Sequence, residues 1–558
     1  MNSSTITQGE GILHDTVDNS MRTGNILVAL FGSGLALSLL WLQTVPLGIP
    51  GEWTWDRLKT EPDLGWNLGS GLVAAAIFLA FIRQGWLPQQ RQVVSLLGRS
   101  ECSAWLIGLV LMSFAWLWVV QEISPVRNRL GKSAFVLYYA SSSGYFTRAR
   151  YESTDVAEFL AGYVELMREG DVLHTGTHPP GLFLVFHGLI AACERSPNLC
   201  SFLDFTQPGS VREALDVIAA NGQRRQVPRP LLPLDRRVLW LATLLVMLSA
   251  SLAVLPLYGL LRETSSSSSA WIGAALWPTM PAVAIFTPKS DVLFPFIALM
   301  FLWIWLVAWR KQSLLLAACA GFIAWIGLFC SLAFLPIFLM AACMTAGSTW
   351  VLAMKTDRNV QQEPVVRPSR FFLFPRRGGL CIVAALVGIF GPVFCLWYFA
   401  RMNLLLVWYW NYQNHAGFYV QFPRTWWKWL LVNPLELTFA AGLPVVFLAA
   451  MGCIQTLRQL KKTGQISLQT TLVISIIGVW GLLWLTGKNS GEAARLWILF
   501  LPWLVWLAAI RLDEIAVSCS DLRLRERHLL AWFGTQFVVS LLTVIRVSGF
   551  HSDAGNLG

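Results

Sequence analysis

The chain has 558 residues, of which 55% are hydrophobic and only 13% charged. Soluble domains carry about 25% charged residues, so this balance excludes a soluble globular enzyme and a disordered chain. The long apolar runs exclude an outer-membrane barrel, whose strands alternate, and the +11 net charge is too dispersed among them for a nucleic-acid-binding face.

From the N-terminus, residues 1–24 are polar and carry Glu10, Asp15, Asp18 and Arg22. That is no basic n-region, so no cleaved signal peptide is expected, and this stretch reads as a cytoplasmic tail. Apolar runs near the length of a membrane span then predict about 13 transmembrane helices: 25–46, 68–82, 104–121, 238–261, 270–287, 292–309, 313–329, 331–353, 378–400, 434–456, 466–486, 494–511 and 528–546. The expected fold is an all-α polytopic helical membrane protein. Its parts are three spans over 25–121, an external loop 122–237, a ten-span bundle over 238–546 and an external tail 547–558. The 28 Trp residues suit a protein with many membrane–water boundaries, where Trp concentrates.

Sidedness follows from Lys and Arg. Arg83, Arg91 and Arg99 fall in one loop, Arg310 and Lys311 in another, and Arg458, Lys461 and Lys462 in a third. The loop 354–377 has six basic residues against Asp357 and Glu363. All four fall on one side, the cytoplasm, which leaves 122–237 outside; that stretch is balanced, with 13 basic and 12 acidic residues. Within it the apolar run 181–193 is too short for a span and contains His187, so it reads as a surface-lying helix. Arg236 and Arg237 at the outer end of the next span run against this assignment. Cys193 and Cys200 share the same loop and are placed to pair if it is extracytoplasmic.

The unusual chemistry gathers on the outer side. Residues 153–170 have Val156, Phe159, Leu160, Tyr163, Val164 and Met167 at helical spacing, with Asp155 in the first turn. There a carboxylate either stabilises the helix N-terminus or does chemistry. HTGTHPPGL follows, with His174 and His178; two prolines force an extended entry after His178. The loop 401–433 mixes aromatic rings with polar groups, Asn414 and His415 among them, a mixture suited to stacking on a sugar ring while bonding its hydroxyls. Asp291, beside Lys289, and Glu492 with Arg495, after Lys488 and Asn489, sit at membrane borders, where ionisable groups line cavities. No C-x-x-C pair occurs and His174 with His178 lack an obvious third ligand, so no metal cofactor is expected.

In these residues the chain resembles the GT-C superfamily, integral-membrane glycosyltransferases of the protein O-mannosyltransferase and lipid A aminoarabinose transferase type. The resemblance rests on Asp155 opening an amphipathic helix, Gly170–Asp171 closing it, His178–Pro179–Pro180–Gly181 following, and Asp291 in a Pro-containing stretch after a later span. It covers roughly residues 104–310. It departs in that Val156 stands where the family has a second acid, Gly181 where it has Leu, and two extra spans come first, which makes Glu52 a rival catalytic acid.

The resemblance implies a polyprenyl-phosphate sugar as donor and a lipid, glycan or protein as acceptor. Transfer would be inverting, on the outer face of a bacterial cytoplasmic membrane. Asp155 would be the base, Asp291 would support it or orient the acceptor, and His178 and Arg495 would hold the phosphate. His174, Asn414, His415 and Glu492 complete the expected substrate contacts. The alternatives are a transporter or flippase of a lipid-linked or polar substrate, and a glycan ligase.

Overall fold

The computed structural model describes residues 24–90, 99–172, 175–224, 231–360, 378–487, 489–519 and 521–550. It is all-α and polytopic. The β-structure consists of two-residue pairings, Gly48–Ile49 with Trp53–Thr54 and Asp56–Arg57 with Val547–Ser548. The second ties the first interhelical loop to the end of the chain.

Seven described helices are long and apolar enough to cross a membrane: Gly24–Trp41, Leu64–Gln89, Glu101–Glu122, Pro233–Thr264, Ser290–Lys311, Gly378–Phe399 and Leu443–Thr463. Leu314–Cys330, Leu332–Gly347 and Gln469–Leu485 are shorter apolar helices. The other three expected spans are helical but altered. The stretch 270–287 is broken, because Pro278 and Pro281 end Ser267–Leu276 and restart the chain as Pro281–Ile285. The stretch 494–511 begins with the short turns Ala493–Leu496 and Ile498–Phe500 before Leu501–Val517. The last helix, Leu522–Val544, has Arg523, Arg525, Glu526 and Arg527 in its first turns.

Burial separates the helices into an inner and an outer set. Pro233–Thr264 and Gly378–Phe399 are almost equally apolar, yet most of the first is buried and little of the second. Val383, Val387, Phe390, Phe394 and Trp397 are exposed on the outer helix. A face of that kind is untenable in water and ordinary against lipid. It docks on Leu314–Cys330 through small residues, with Gly321 and Gly388 meeting the backbone of the facing helix. The centre is Ser267–Leu276 packed on Leu501–Val517, with Trp271, Trp277 and Trp506 fully buried.

Two sequence expectations about the polar stretches change. The amphipathic helix over 153–170 is two short helices, Val156–Ala161 and Tyr163–Arg168, divided at Gly162. The expected loop 401–433 is mostly helix, Leu404–Gln421 capped by Asn403 and followed, after Pro423, by Trp426–Ala441. The 181–193 run is the helix Gly181–Arg195. Cys193 and Cys200 are free thiols, Cys200 Sγ lying 3.1 Å from the Cys193 carbonyl oxygen. Arg236 and Arg237 are neutralised by loop acids, pairing with Asp216 at 2.6 Å and Asp204 at 2.7 Å.

Candidate active site

Two stretches meet at one end of the bundle. Ser290–Val292 is a tight turn that starts the Phe294–Lys311 helix and presents Asp291. Gly487 and residues 489–492 precede the short turn Ala493–Leu496, and Gly487, Asn489, Gly491 and Glu492 lie in the left-handed region. Glu492 has φ 58°, a strained conformation for a residue with a Cβ, costing about 1–3 kcal/mol and concentrated at functional sites.

This geometry turns Arg495 between two carboxylates. Its Nη2 donates to Glu492 Oε2 at 3.0 Å, and its Nε stands 3.9 Å from Asp291 Oδ2. Arg495 Nε is buried without a hydrogen-bond partner, so the pair with Asp291 is electrostatic and leaves a donor for a ligand. The three side chains are 16–25% exposed, reachable yet largely out of water, where charges act strongly.

Lys289 and Tyr145 complete the cluster. Lys289 donates to the Ser142 carbonyl. Burial, with Arg495 nearby, pushes its pKa down to about 7, although Asp291 and Glu492 pull it up. Burial raises the Tyr145 phenol, and the Asp291 charge adds to that, so it stays a proton donor. A small cavity of about 30 Å³ lies against Ser143, Tyr145, Lys289 and Ser290.

His178 reaches the same place. Its ring stands edge-on to Tyr145, centroids 5.8 Å apart, and its Nδ1 lies 3.0 Å from Thr177 Oγ1. Tyr163 holds the backbone by donating to the His178 carbonyl at 2.8 Å. Just downstream, a side chain at Gly181 would collide with the Phe329 carbonyl. That close approach explains why Gly occupies the position.

The other expected site residues divide. Asn414 is buried, donating to the carbonyls of Met167 and Gly176 at 2.8 and 2.9 Å; with Asn411 it clamps the turn that leads to His178. His415 packs against Tyr419, ring centroids 5.8 Å apart, and the Tyr419 hydroxyl accepts from the Asn489 N–H at 2.7 Å. Glu52 latches the first loop onto Trp426–Ala441, accepting from Thr425 N at 2.9 Å, Thr425 Oγ1 at 2.5 Å and Trp429 Nε1 at 2.7 Å. Burial opposes its ionisation, but the Thr425 and Trp429 donors outweigh that and hold its pKa below the usual range. Asp155 is exposed and caps Val156–Ala161, accepting from Ala157 N at 2.8 Å and Glu158 N at 3.2 Å. His174 and Lys488 lie outside the described residues. Among the described residues no group of three or more His, Cys, Asp or Glu is arranged to hold a metal ion.

Sequence reasoning missed Tyr145, Trp55 and Glu436. Glu436 Oε1 accepts from Trp55 Nε1 at 3.1 Å and from Ala494 N at 3.4 Å, which ties the first loop to the residue before Arg495. Trp55 also packs edge-on to Phe286, 6.1 Å away, beside the Lys289–Asp291 stretch. The available signal was a carboxylate inside an apolar run, LLVNPLELTF, which marks a cavity or a network.

The protein also has an open apolar groove of about 550 Å³. Leu328, Leu332, Phe338, Ile389, Leu405 and Trp408 are among its walls. Leu328 and Leu332 flank Cys330, whose sulfur abuts Gly181, three residues after His178.

No protein-family model matches the sequence, and no curated protein matches it. The chain is similar to an archaeal oligosaccharyltransferase. In Archaeoglobus fulgidus that enzyme has been solved tethered to an acceptor peptide containing the NVT sequon, at 11% identity and TM-score 0.45, with 80% of this chain and 56% of that chain covered. A second structure holds an inhibitory peptide and a dolichol-phosphate, at 11% identity and TM-score 0.43, with the same coverage. A third holds Zn and sulfate, at 12% identity and TM-score 0.41, covering 80% of this chain and 54% of that one. The chain thus spans little more than half the length of these neighbours.

Proposed function

We propose that this multi-pass membrane protein is a glycosyltransferase that takes a sugar from a polyprenyl-phosphate donor on the outer face of a bacterial cytoplasmic membrane. The observation that carries the reading is the meeting of Asp291, Glu492 and Arg495, with Lys289 two residues before Asp291 and His178 against Tyr145, in a protein that also has an apolar groove. A lipid-phosphate sugar needs an apolar channel for its tail, cations and donors for its phosphate, and a carboxylate at the anomeric carbon. Arg495 offers a fork of donors that fits phosphate oxygens; His178 and Lys289 stand beside it. The groove takes the prenyl chain. The acceptor is a lipid, glycan or protein hydroxyl or amide.

The base role falls to Asp291 in this reading. Asp155 was the first candidate from the sequence, but its carboxylate is engaged by its own helix, and that of Glu52 by Thr425 and Trp429. Asp291 takes the acceptor proton while the acceptor oxygen or nitrogen bonds to the anomeric carbon. The bond from that carbon to the phosphate oxygen breaks, and the anomeric centre inverts. Arg495 stabilises the charge left on the phosphate, and Glu492 holds Arg495. Tyr145 donates to the departing oxygen or to Asp291.

The test is transfer of label from a radiolabelled polyprenyl-phosphate sugar in membranes containing the protein. Label should leave the donor with wild type and stay with Asp291→Asn. Transbilayer movement of the intact donor without bond cleavage would instead make the chain a flippase.

A further inference from the structure

Arg424 lies in the 422–425 turn, between the helices Leu404–Gln421 and Trp426–Ala441. Its Nη1 donates to the Glu52 carbonyl, which fixes the guanidinium. Its Nε is buried with no hydrogen-bond partner. Among the described residues no carboxylate pairs with it. The group faces the strained loop: a Cβ at Gly491 would stand 3.4 Å from Arg424 Nε and 3.4 Å from the Trp429 ring. Gly491, at φ +77°, lets the backbone pass there. The Tyr419 phenol is within electrostatic reach of both Arg424 and Glu492. One guanidinium therefore touches the Gly491 side of the loop, and the other, Arg495, binds the Glu492 side chain.

An arginine taken partly out of water with no countercharge is costly to hold, and a fixed fork with a free donor suits a phosphate or carboxylate. Arg495 has two carboxylates to balance it, whereas Arg424 has none. We propose that Arg424 forms a second anion subsite of this centre, taking a phosphoryl group additional to the one held by Arg495. This rests on the glycosyltransferase reading and sharpens its substrate class. The second phosphoryl group is either the distal phosphate of a polyprenyl-diphosphate donor or a phosphate carried by a separate molecule, such as the acceptor.

The experiment uses the full chain in lipid nanodiscs, with farnesyl phosphate, farnesyl diphosphate and inorganic phosphate as probes. Wild type should bind the diphosphate about ten-fold or more tightly than the monophosphate, and Arg424→Gln should erase that margin while monophosphate affinity stays. An unchanged monophosphate affinity also shows that the variant is folded. Arg495→Gln should weaken both prenyl probes. If the second anion comes separately, inorganic phosphate should tighten farnesyl phosphate binding in wild type and not in Arg424→Gln. The subsite is overturned if Arg424→Gln changes neither the diphosphate margin nor the phosphate effect. If Arg495→Gln changes nothing either, the donor reading itself falls, so the two failures are distinguishable.

Discussion

The stretch from Glu152 to Asp171 carries six carboxylates in 20 residues, while the stretches 286–291 and 487–495 together carry two. The dense stretch spends its charge locally. Glu152 pairs with Arg148, Glu165 with Arg168, Asp155 caps the helix that follows it, and Asp171 accepts from Thr175 N and Gly176 N. The sparse stretches spend theirs on each other, across about 200 positions of sequence. Local pairs stabilise a helix by tenths of a kcal/mol and leave nothing over for a ligand. Arg495, held between Glu492 and Asp291 with an unbonded Nε, retains binding capacity. Under the proposed function, long-range convergence on a strained loop is the guide to the site, and acid density is not.

The sharpest break between the two regions is catalytic. Asp291→Asn keeps the shape but cannot accept a proton, so transfer should fall by about 10²–10⁴-fold while the protein still inserts and binds donor. Single-turnover rates at saturating donor measure this. An Asp291→Asn enzyme within a few-fold of wild type would remove the chemistry from this cluster.

Much of the scaffold was legible in the sequence because a membrane demands long apolar helices. The broken helix at Pro278 and Pro281 was legible too, had prolines been weighted above hydropathy. Asp291, Glu492, Arg495 and His178 were legible as polar groups at apolar borders. Their partnership was not, since no periodicity links residue 178 to residue 495. Tyr145 and Trp55 were invisible for a plainer reason. An aromatic residue in a Trp-rich membrane protein reads as packing until the structure shows the Tyr145 ring against His178 and the Trp55 indole on Glu436.

Next in size is the phosphate contact. Arg495→Lys keeps the charge but loses the fork, and loss of a charged hydrogen bond is worth about 1.5–3 kcal/mol. Donor affinity should drop roughly ten- to a hundred-fold, with a smaller change in the rate at saturation. His178→Ala should act in the same direction. Donor titrations at matched expression decide it, and unchanged titrations in both variants would make these residues anchors.

A smaller effect follows from Lys289, which faces Arg495, Asp291 and Glu492. With a folded-state pKa of about 7, it is charged below that pH and neutral above it. Donor affinity should therefore weaken a few-fold as pH rises through 7, and Lys289→Gln should flatten that limb. Stability runs the other way. The penalty of a buried ammonium is fully present below pH 7 and is relieved as pH rises toward the unfolded value of 10.5. The thermal midpoint should climb over that window in wild type and not in Lys289→Gln. A limb that persists in Lys289→Gln belongs to another group.

The smallest effect tests the dense stretch. Asp155 holds two N–H groups at the start of Val156–Ala161, and Asn caps a helix nearly as well as Asp. Asp155→Asn should therefore leave transfer within about two-fold and stability within a few tenths of a kcal/mol. Asp155→Ala, which removes the acceptor, should cost about 0.5–2 kcal/mol with kinetics still near wild type. Measuring both variants separates a cap from a base, because a base fails equally with Asn and Ala whereas a cap fails only with Ala. Dead transfer in a stably folded Asp155→Asn would return the catalytic carboxylate to the motif-dense stretch and leave Asp291 as a partner of Arg495.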